Sequence, residues 1–153
     1  MPAFSEGEIM RLQLRILPGV FAVCRLTADA ELPEWAMAGE FRSISWTHDE
    51  LSIVCEESLV PPDVRAERGW RAFMIEGPLD FQLTGILLKV AQPLAEAGIS
   101  IFAVSTFDTD YVLVKEEQFA QSREALARNG FGISELDISA VSSSRGFLAH
   151  HRR

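Results

Sequence analysis

The segment STFDTDYVLV, residues 105–114, places two hydroxyls (Ser105, Thr106) and two carboxylates (Asp108, Asp110) between an apolar run ending at Val104 and another beginning at Tyr111. Three chemistries use such residues. Two carboxylates one residue apart offer hard oxygen ligands to Mg²⁺ or Ca²⁺. An acid and a hydroxyl beside a crevice can grip the cationic group of a small molecule. Asp, Ser and Thr also close tight turns by bonding their own backbone. The metal reading lacks further acids or a phosphate-gripping motif nearby, and we set it aside. Asp108 suits the turn, whereas Asp110 lies directly against YVLV and is tied to a strand rather than to a loop tip.

A second polar island, GPLDFQLTG (77–85), crosses from a strand end to a helix start. Free backbone N–H groups and the positive end of the helix dipole favour an anion there. Read alone, Asp80 or Thr84 caps the helix and Gly85 allows close packing. Read with Asp110, the pair suits a zwitterion, its carboxylate on the backbone N–H groups and its cationic group on the acid, which points to an amino acid. Covalent chemistry finds less support. Cys24 and Cys55 each end an apolar run and read as small buried hydrophobes without the companions of a catalytic thiol. His48 with Trp46 and Asp49 reads as an ordinary hairpin turn, and His150-His151 as part of a solvated tail. GPLDFQLTG contains no Arg, which an acyl-phosphate hydrolase would need in that loop.

The elements that must position these islands follow from periodicity. WRAFMIEG (70–77) is a strand closed by Gly77-Pro78; Leu83, Ile86, Leu87, Val90 and Leu94 form a helical stripe. Pro93 should kink that helix or remove a hydrogen bond, and Gly98 should stop it. ISIFAVS (99–105) and YVLVKE (111–116) are strands, EEQFAQSREALARNG (116–130) is a second helix, and ISELDISAVSS (133–143) a last strand. The order β-α-β-β-α-β is ferredoxin-like, one antiparallel sheet with both helices on one face. Its first and third strands are neighbours, so the exit at 77–85 and the second hairpin are expected at one crevice. The first half repeats the order in shorter form. LQLRIL and VFAVCRL flank Pro18-Gly19 as a hairpin, PEWAMAG (33–39) holds a short helix, and FRSISW and ELSIVCEE flank Thr47-His48-Asp49. Aligning SISWTHDELSIVCEESLVPP with SIFAVSTFDTDYVLVKEEQF suggests a degenerate repeat. We therefore expect an α+β chain of two modules, residues 1–68 and 69–153, with strand 70–76 assignable to either.

Composition narrows the partners. The chain has 153 residues, 48% hydrophobic and 24% charged, as in a globular protein. Its formal net charge is −8 and its pI near 4.9, with no basic block before the last two residues, so no nucleic-acid footprint is present. No basic leader followed by an apolar run opens the chain, and no apolar run reaches the ~18–20 residues of a membrane helix. We expect a cytoplasmic protein with reduced cysteines.

The stretch GPLDFQLTGILLKVAQPLAEAGISIFAVSTFDTDYVLVKEEQF resembles the ACT domain, a small-molecule-binding module of amino-acid metabolism, and within it the branch containing CASTOR-type cytosolic arginine sensors and stand-alone bacterial proteins with two ACT-like units. LTGIL and STFDTDYVLVKEE carry the likeness, which is strong over about residues 69–131 and weaker over 10–68. The resemblance implies βαββαβ modules paired side by side into a continuous sheet, with an amino acid bound between them. It places ligand contacts on Gly85, Ile86 and Leu87 and on Ser105, Thr106, Phe107 and Asp110, with Asp110 matching the acid that grips a cationic side chain or ammonium. Leu88 stands in a turn where an acid would suit an arginine sensor, so arginine does not transfer. The expectation is a non-catalytic amino-acid sensor without cofactor or metal, a homodimer read by a partner enzyme. The alternatives are an interaction subunit with an empty pocket and a small ferredoxin-like hydrolase.

Overall fold

The computed structural model describes residues 12–76 and 85–137. Its strands are β1 (Gln13–Ile16), β2 (Phe21–Leu26), β3 (Ser43–Trp46), β4 (Leu51–Glu56), β5 (Ala66–Ile75), β6 (Ile101–Ser105), β7 (Asp110–Lys115) and β8 (Gly132–Glu135); its α-helices are α1 (Ile86–Glu96) and α2 (Phe119–Arg128). All eight strands join one sheet.

The sheet is organised by β5, which begins at Ala66, four residues ahead of the WRAFMIEG run. Its apolar residues face both ways: Trp70 and Ala72 are buried in one cluster, Phe73 and Ile75 in another. Such two-sided burial explains the near-continuous hydrophobic reading of the segment. One edge of β5 pairs antiparallel with β2 and then β1, and the other with β7. From β2 onward the chain runs β2, a 3₁₀ turn (Glu34–Met37), β3, β4, a 3₁₀ turn (Glu57–Leu59) and β5, in the spatial order β3-β4-β2-β5. This is the ferredoxin-like order with both helices reduced to single turns. The second module runs β5, α1, β6, β7, α2, β8, with β6-β7-β5 adjacent. β5 is therefore the last strand of one module and the first of the next, and the expected boundary between residues 68 and 69 passes through it.

Three expectations are corrected. Pro18-Gly19 does not close a hairpin. β1 and β2 lie end to end along β5, Leu14 opposite Ile75 and Phe21 opposite Trp70, with Leu17 N–H bonded to the Ala72 carbonyl at 3.0 Å. The Pro-Gly pair instead shifts the register between the two halves, because a ten-residue partner strand offers both of them a ladder. The last strand pairs not with β5 but with β1, in parallel: Leu14 opposes Ile133. β1 thus fills the slot beside β5 that a ferredoxin-like sheet gives to its final strand. Third, the repeat is real but displaced by two residues from the reading above. β4 and β7 have equal lengths at an offset of 59 residues, and Thr47 and Thr106 stand at the same offset. Thr47 N–H bonds Glu50 O at 2.9 Å and Thr106 N–H bonds Thr109 O at 2.8 Å, each with its hydroxyl turned back on the same turn.

Both helices cover one face of the second module. α1 sets Ile86, Val90 and Leu94 into a cluster with Leu14, Ile16, Phe73, Ile75, Val112 and Leu126, and it continues through Pro93. The helices end alike. Gly98 and Gly130 take φ of 75° and 90°, which lets the next residue bond the carbonyl five back, Ile99 to Leu94 (2.9 Å) and Phe131 to Leu126 (3.2 Å). Ile99 and Phe131 then drop into the same cluster.

Among the described residues the opposite face carries no helix, yet Phe21, Trp70, Leu113 and Val104 on it are buried. Phe41, just ahead of β3, lies 4.7 Å from the Tyr111 ring on β7 and 5.7 Å from Phe21. In a flat sheet β3 and β7 would stand four strand spacings, ~19 Å, apart. The sheet is therefore curled, and the segment ahead of β3 crosses its concave face. Removing the Phe41 ring opens that closure: Phe41→Ala is expected to lower stability by about 2 kcal/mol, less than for a fully buried Phe, as read by urea unfolding.

Candidate functional site

The ladder of β7 on β5 carries the β6–β7 hairpin to the exit of β5, and one side chain fastens its turn there. Thr109 is buried, and its hydroxyl donates to the Ile75 carbonyl. This tie extends the ladder by one side-chain bond and fixes the STFDTD turn against the strand end at Ile75. The polar island itself, with Asp80 and Thr84, lies outside the described residues, which resume at Gly85.

The hairpin turn is built by Thr106. Its hydroxyl accepts the Thr109 N–H (3.3 Å) and donates to the Thr109 carbonyl (3.1 Å), while its own N–H also reaches that carbonyl. Its hydrogen-bonding capacity is thus spent on the turn. Phe107 projects from the tip, 80% exposed, beside exposed Asp108. Ser105 and Asp110 face each other across the hairpin as paired residues. Asp110 is half-buried, and its carboxylate makes no hydrogen bond or ion pair with any described residue. A carboxylate drawn partly out of water without a partner is poised for a cation or donor.

At the helix start the expected contacts divide. Gly85 takes the left-handed conformation (φ 80°, ψ 7°) and accepts the first helical bond from Lys89 N–H at 2.9 Å. Ile86 is 5% exposed and its side chain belongs to the core, with Leu87 packed against the same cluster. Leu88, 61% exposed, points away from it. Only the backbone of Gly85 to Leu87 is therefore left to meet a ligand. Of the seven expected residues, the structure joins Ser105, Thr106, Phe107 and Asp110 in one hairpin at the β5 exit; Gly85, Ile86 and Leu87 stand at the far end of the segment that leaves it. Sequence reasoning missed Thr109. Nothing in its residue type separates it from Thr106; only the register of β7 on β5 does.

Elsewhere, His48 and Asp49 are exposed at the first hairpin. Among the described residues no group of three His, Cys, Asp or Glu could hold a metal ion. Cys24 and Cys55 are buried, unbonded thiols on neighbouring strands. The Cys55 thiol donates to the Cys24 sulfur and holds Cys24 below the ordinary cysteine range, against burial and with a smaller pull from Arg68. The same contact and burial push Cys55 far up.

The sheet is mixed, antiparallel except for β1 on β8, and its second module carries both helices on one face, which is the ferredoxin-like class of fold. The family profile described as ACT domain matches residues 65–130, and a second profile, described as an N-terminal domain, matches residues 19–63. A solved structure from Agrobacterium tumefaciens is 44% identical, covering 83% of this chain and 96% of that one, with a TM-score of 0.78. The chain is an ACT-domain protein and belongs to one family with that protein. The human cytosolic arginine sensor for mTORC1 subunit 1 is 41% identical over 66 residues, 42% of this chain and 20% of the sensor. The chain thus spans about a fifth of the curated relatives it matches. The regulatory subunit of aspartate kinase from Thermus thermophilus shares the fold at a TM-score of 0.53 and 10% identity, covering 77% of this chain and 96% of that one. Among the described residues no helix is long and apolar enough to cross a membrane.

Two outcomes test this geometry. Thr109→Val removes the tie to Ile75 and leaves a buried carbonyl without it; a loss of about 1–2 kcal/mol in chemical denaturation is expected. Cys24 and Cys55 should fail to react with Ellman's reagent in the native protein and titrate as two thiols once it is unfolded.

Proposed function

We propose that this chain is a non-catalytic amino-acid-binding regulatory protein. Its ligand sits between ACT modules, where the β5 exit, the start of α1 and the β6–β7 hairpin converge. The observation that carries the reading is Asp110: a half-buried carboxylate without a described partner, opposite Ser105 and fixed at the β5 exit through Thr109. In this reading Asp110 takes the ligand's cationic group, Ser105 adds a hydroxyl, Phe107 covers the mouth, and the backbone of Gly85, Ile86 and Leu87 receives the carboxylate. Thr106 shapes the turn rather than touching the ligand. The arginine sensor and the aspartate kinase subunit support the assignment by the roles in their names.

Residues 1–68 and 69–153 act as the two modules of this device, in a cytoplasmic homodimer whose arrangement a partner enzyme reads. A ligand that binds one arrangement better shifts the population toward it by no more than its differential affinity. No cofactor or metal takes part. A second reading, an interaction subunit whose pocket is empty, is favoured by the commitment of the Thr106 hydroxyl to its own turn and of Ile86 to the core.

The test is a thermal-shift screen against the twenty amino acids. At one hundred times its Kd a ligand of the folded state adds about 2.7 kcal/mol, a rise of several degrees for a domain of this size. At least one amino acid should raise Tm, and Asp110→Ala should abolish that rise while leaving the ligand-free Tm within about a degree. Rises that all persist in Asp110→Ala remove the residue from the site; no rise with any amino acid moves the reading to the interaction subunit.

A further inference from the structure

The concave face has a polar end that the site at Asp110 does not use. A cavity of about 240 Å³ opens there between the modules, lined by Arg25 of β2, Ser52 and Glu50 of the first hairpin, Arg65 and Glu67 at the start of β5, and Phe102 reaching over from β6. Arg25 and Ser52 are cross-strand partners. Arg25 N–H bonds the Arg65 carbonyl at 3.0 Å, which sets the two arginines opposite each other on adjacent strands. Like charges in that position repel and destabilise a sheet, unless an anion lies between them.

The opposite charges that line the cavity do not neutralise the pair. Among the described residues no ion pair joins Arg25 or Arg65 to Glu50 or Glu67. Arg25 donates one N–H to the Asp49 carbonyl (3.0 Å), and the Arg65 guanidinium and the Glu50 carboxylate have no described partner. Glu67 meets Lys115 at 3.5 Å. In a chain of net charge −8, two facing arginines beside Glu50, Glu67 and an aromatic wall form an arrangement with a positive and a negative side.

We infer that this cavity is a second amino-acid site, distinct from that at Asp110: the ligand's carboxylate lodges between Arg25 and Arg65, its ammonium faces Glu50 and Glu67, and its side chain lies against Phe102. Two guanidinium groups on one carboxylate give charge-assisted bonds of the stronger kind. The volume admits a single amino acid rather than a peptide. Because Phe102 comes from the second module and the arginines from β2 and the module junction, the ligand bridges the sheet across its curl.

The full chain, labelled with ¹⁵N, is titrated with each of the twenty amino acids, and with acetate and methylammonium as half-ligands. At least one amino acid should shift the backbone amides of Arg25, Ser52 and Phe102. Arg25→Ala/Arg65→Ala should weaken that binding by about tenfold or more, as expected for loss of charge-assisted bonds, while Asp110→Ala leaves it intact. Both arginines are exposed, so the variant should keep the fold, which its amide spectrum reports directly. No shift at these amides with any amino acid, or shifts of equal affinity in the double variant, overturns the proposal. Acetate binding as tightly as the amino acid overturns the role of the acidic side.

Discussion

Everything in this molecule hangs on β5 being bonded along both edges and buried on both faces. Ten residues long, it supplies the ladder for β2 and β1 on one side and for β7 on the other. The same strand carries Phe73 and Ile75 into the helix-covered core and Trp70 and Ala72 into the concave one. Lys115 of β7 strengthens the junction, donating to the Arg68 carbonyl at 2.7 Å and lying 4.7 Å over the Trp70 ring. Rotating one module against the other within a chain would break this ladder. A rearrangement driven by the proposed ligand would therefore be taken up between chains of the proposed dimer, or in segments outside the sheet.

The first module shows what such a fold retains when its helices shrink. Its outer cluster is made of small side chains, Ala22, Cys24, Ala36 and Cys55, with Leu51, Ile53 and Val60, and single 3₁₀ turns suffice to cover it. A short cover needs a thin core, and the two cysteines fit that need as compact apolar groups. The concave face compensates: curling lets the two modules bury each other's exposed side, with Phe41 sealing the seam.

Much of this was legible in the chain, and the failures share a cause. The apolar stripe from Ile86 to Leu94, the glycine stops at 98 and 130 and the apolar run of β7 are local signals, and each element formed where they lay. Pro18-Gly19 is a local signal for reversal as well, but the ladder offered by β5 is not local, and it prevailed. The slip of the repeat by two residues arose in the same way, since Thr106 is recognisable as the equivalent of Thr47 only by the bonds each makes. At the candidate site, residue type singles out Asp110 and Ser105 as candidates. It could not show that Ile86 is consumed by the core, that Thr106 is consumed by its turn, or that buried Thr109 fastens the hairpin to Ile75, because all three depend on how strands register.

The place of β1 separates two notions of a module. The recognisable ACT segment, 65–130, stops short of β8 and starts long after β1. Yet Leu14 and Ile16 are completely buried in its core, and β8 joins the sheet through β1. What is conveyed as a sequence unit is thus not what closes as a folding unit. Cut out alone, the segment would present the β5 edge opposite β7 with its ladder groups bare, the kind of open border along which chains add to one another. The strand that prevents this is encoded on the far side of the first module, so the two modules are interlocked by their order along the chain as well as by their shared strand.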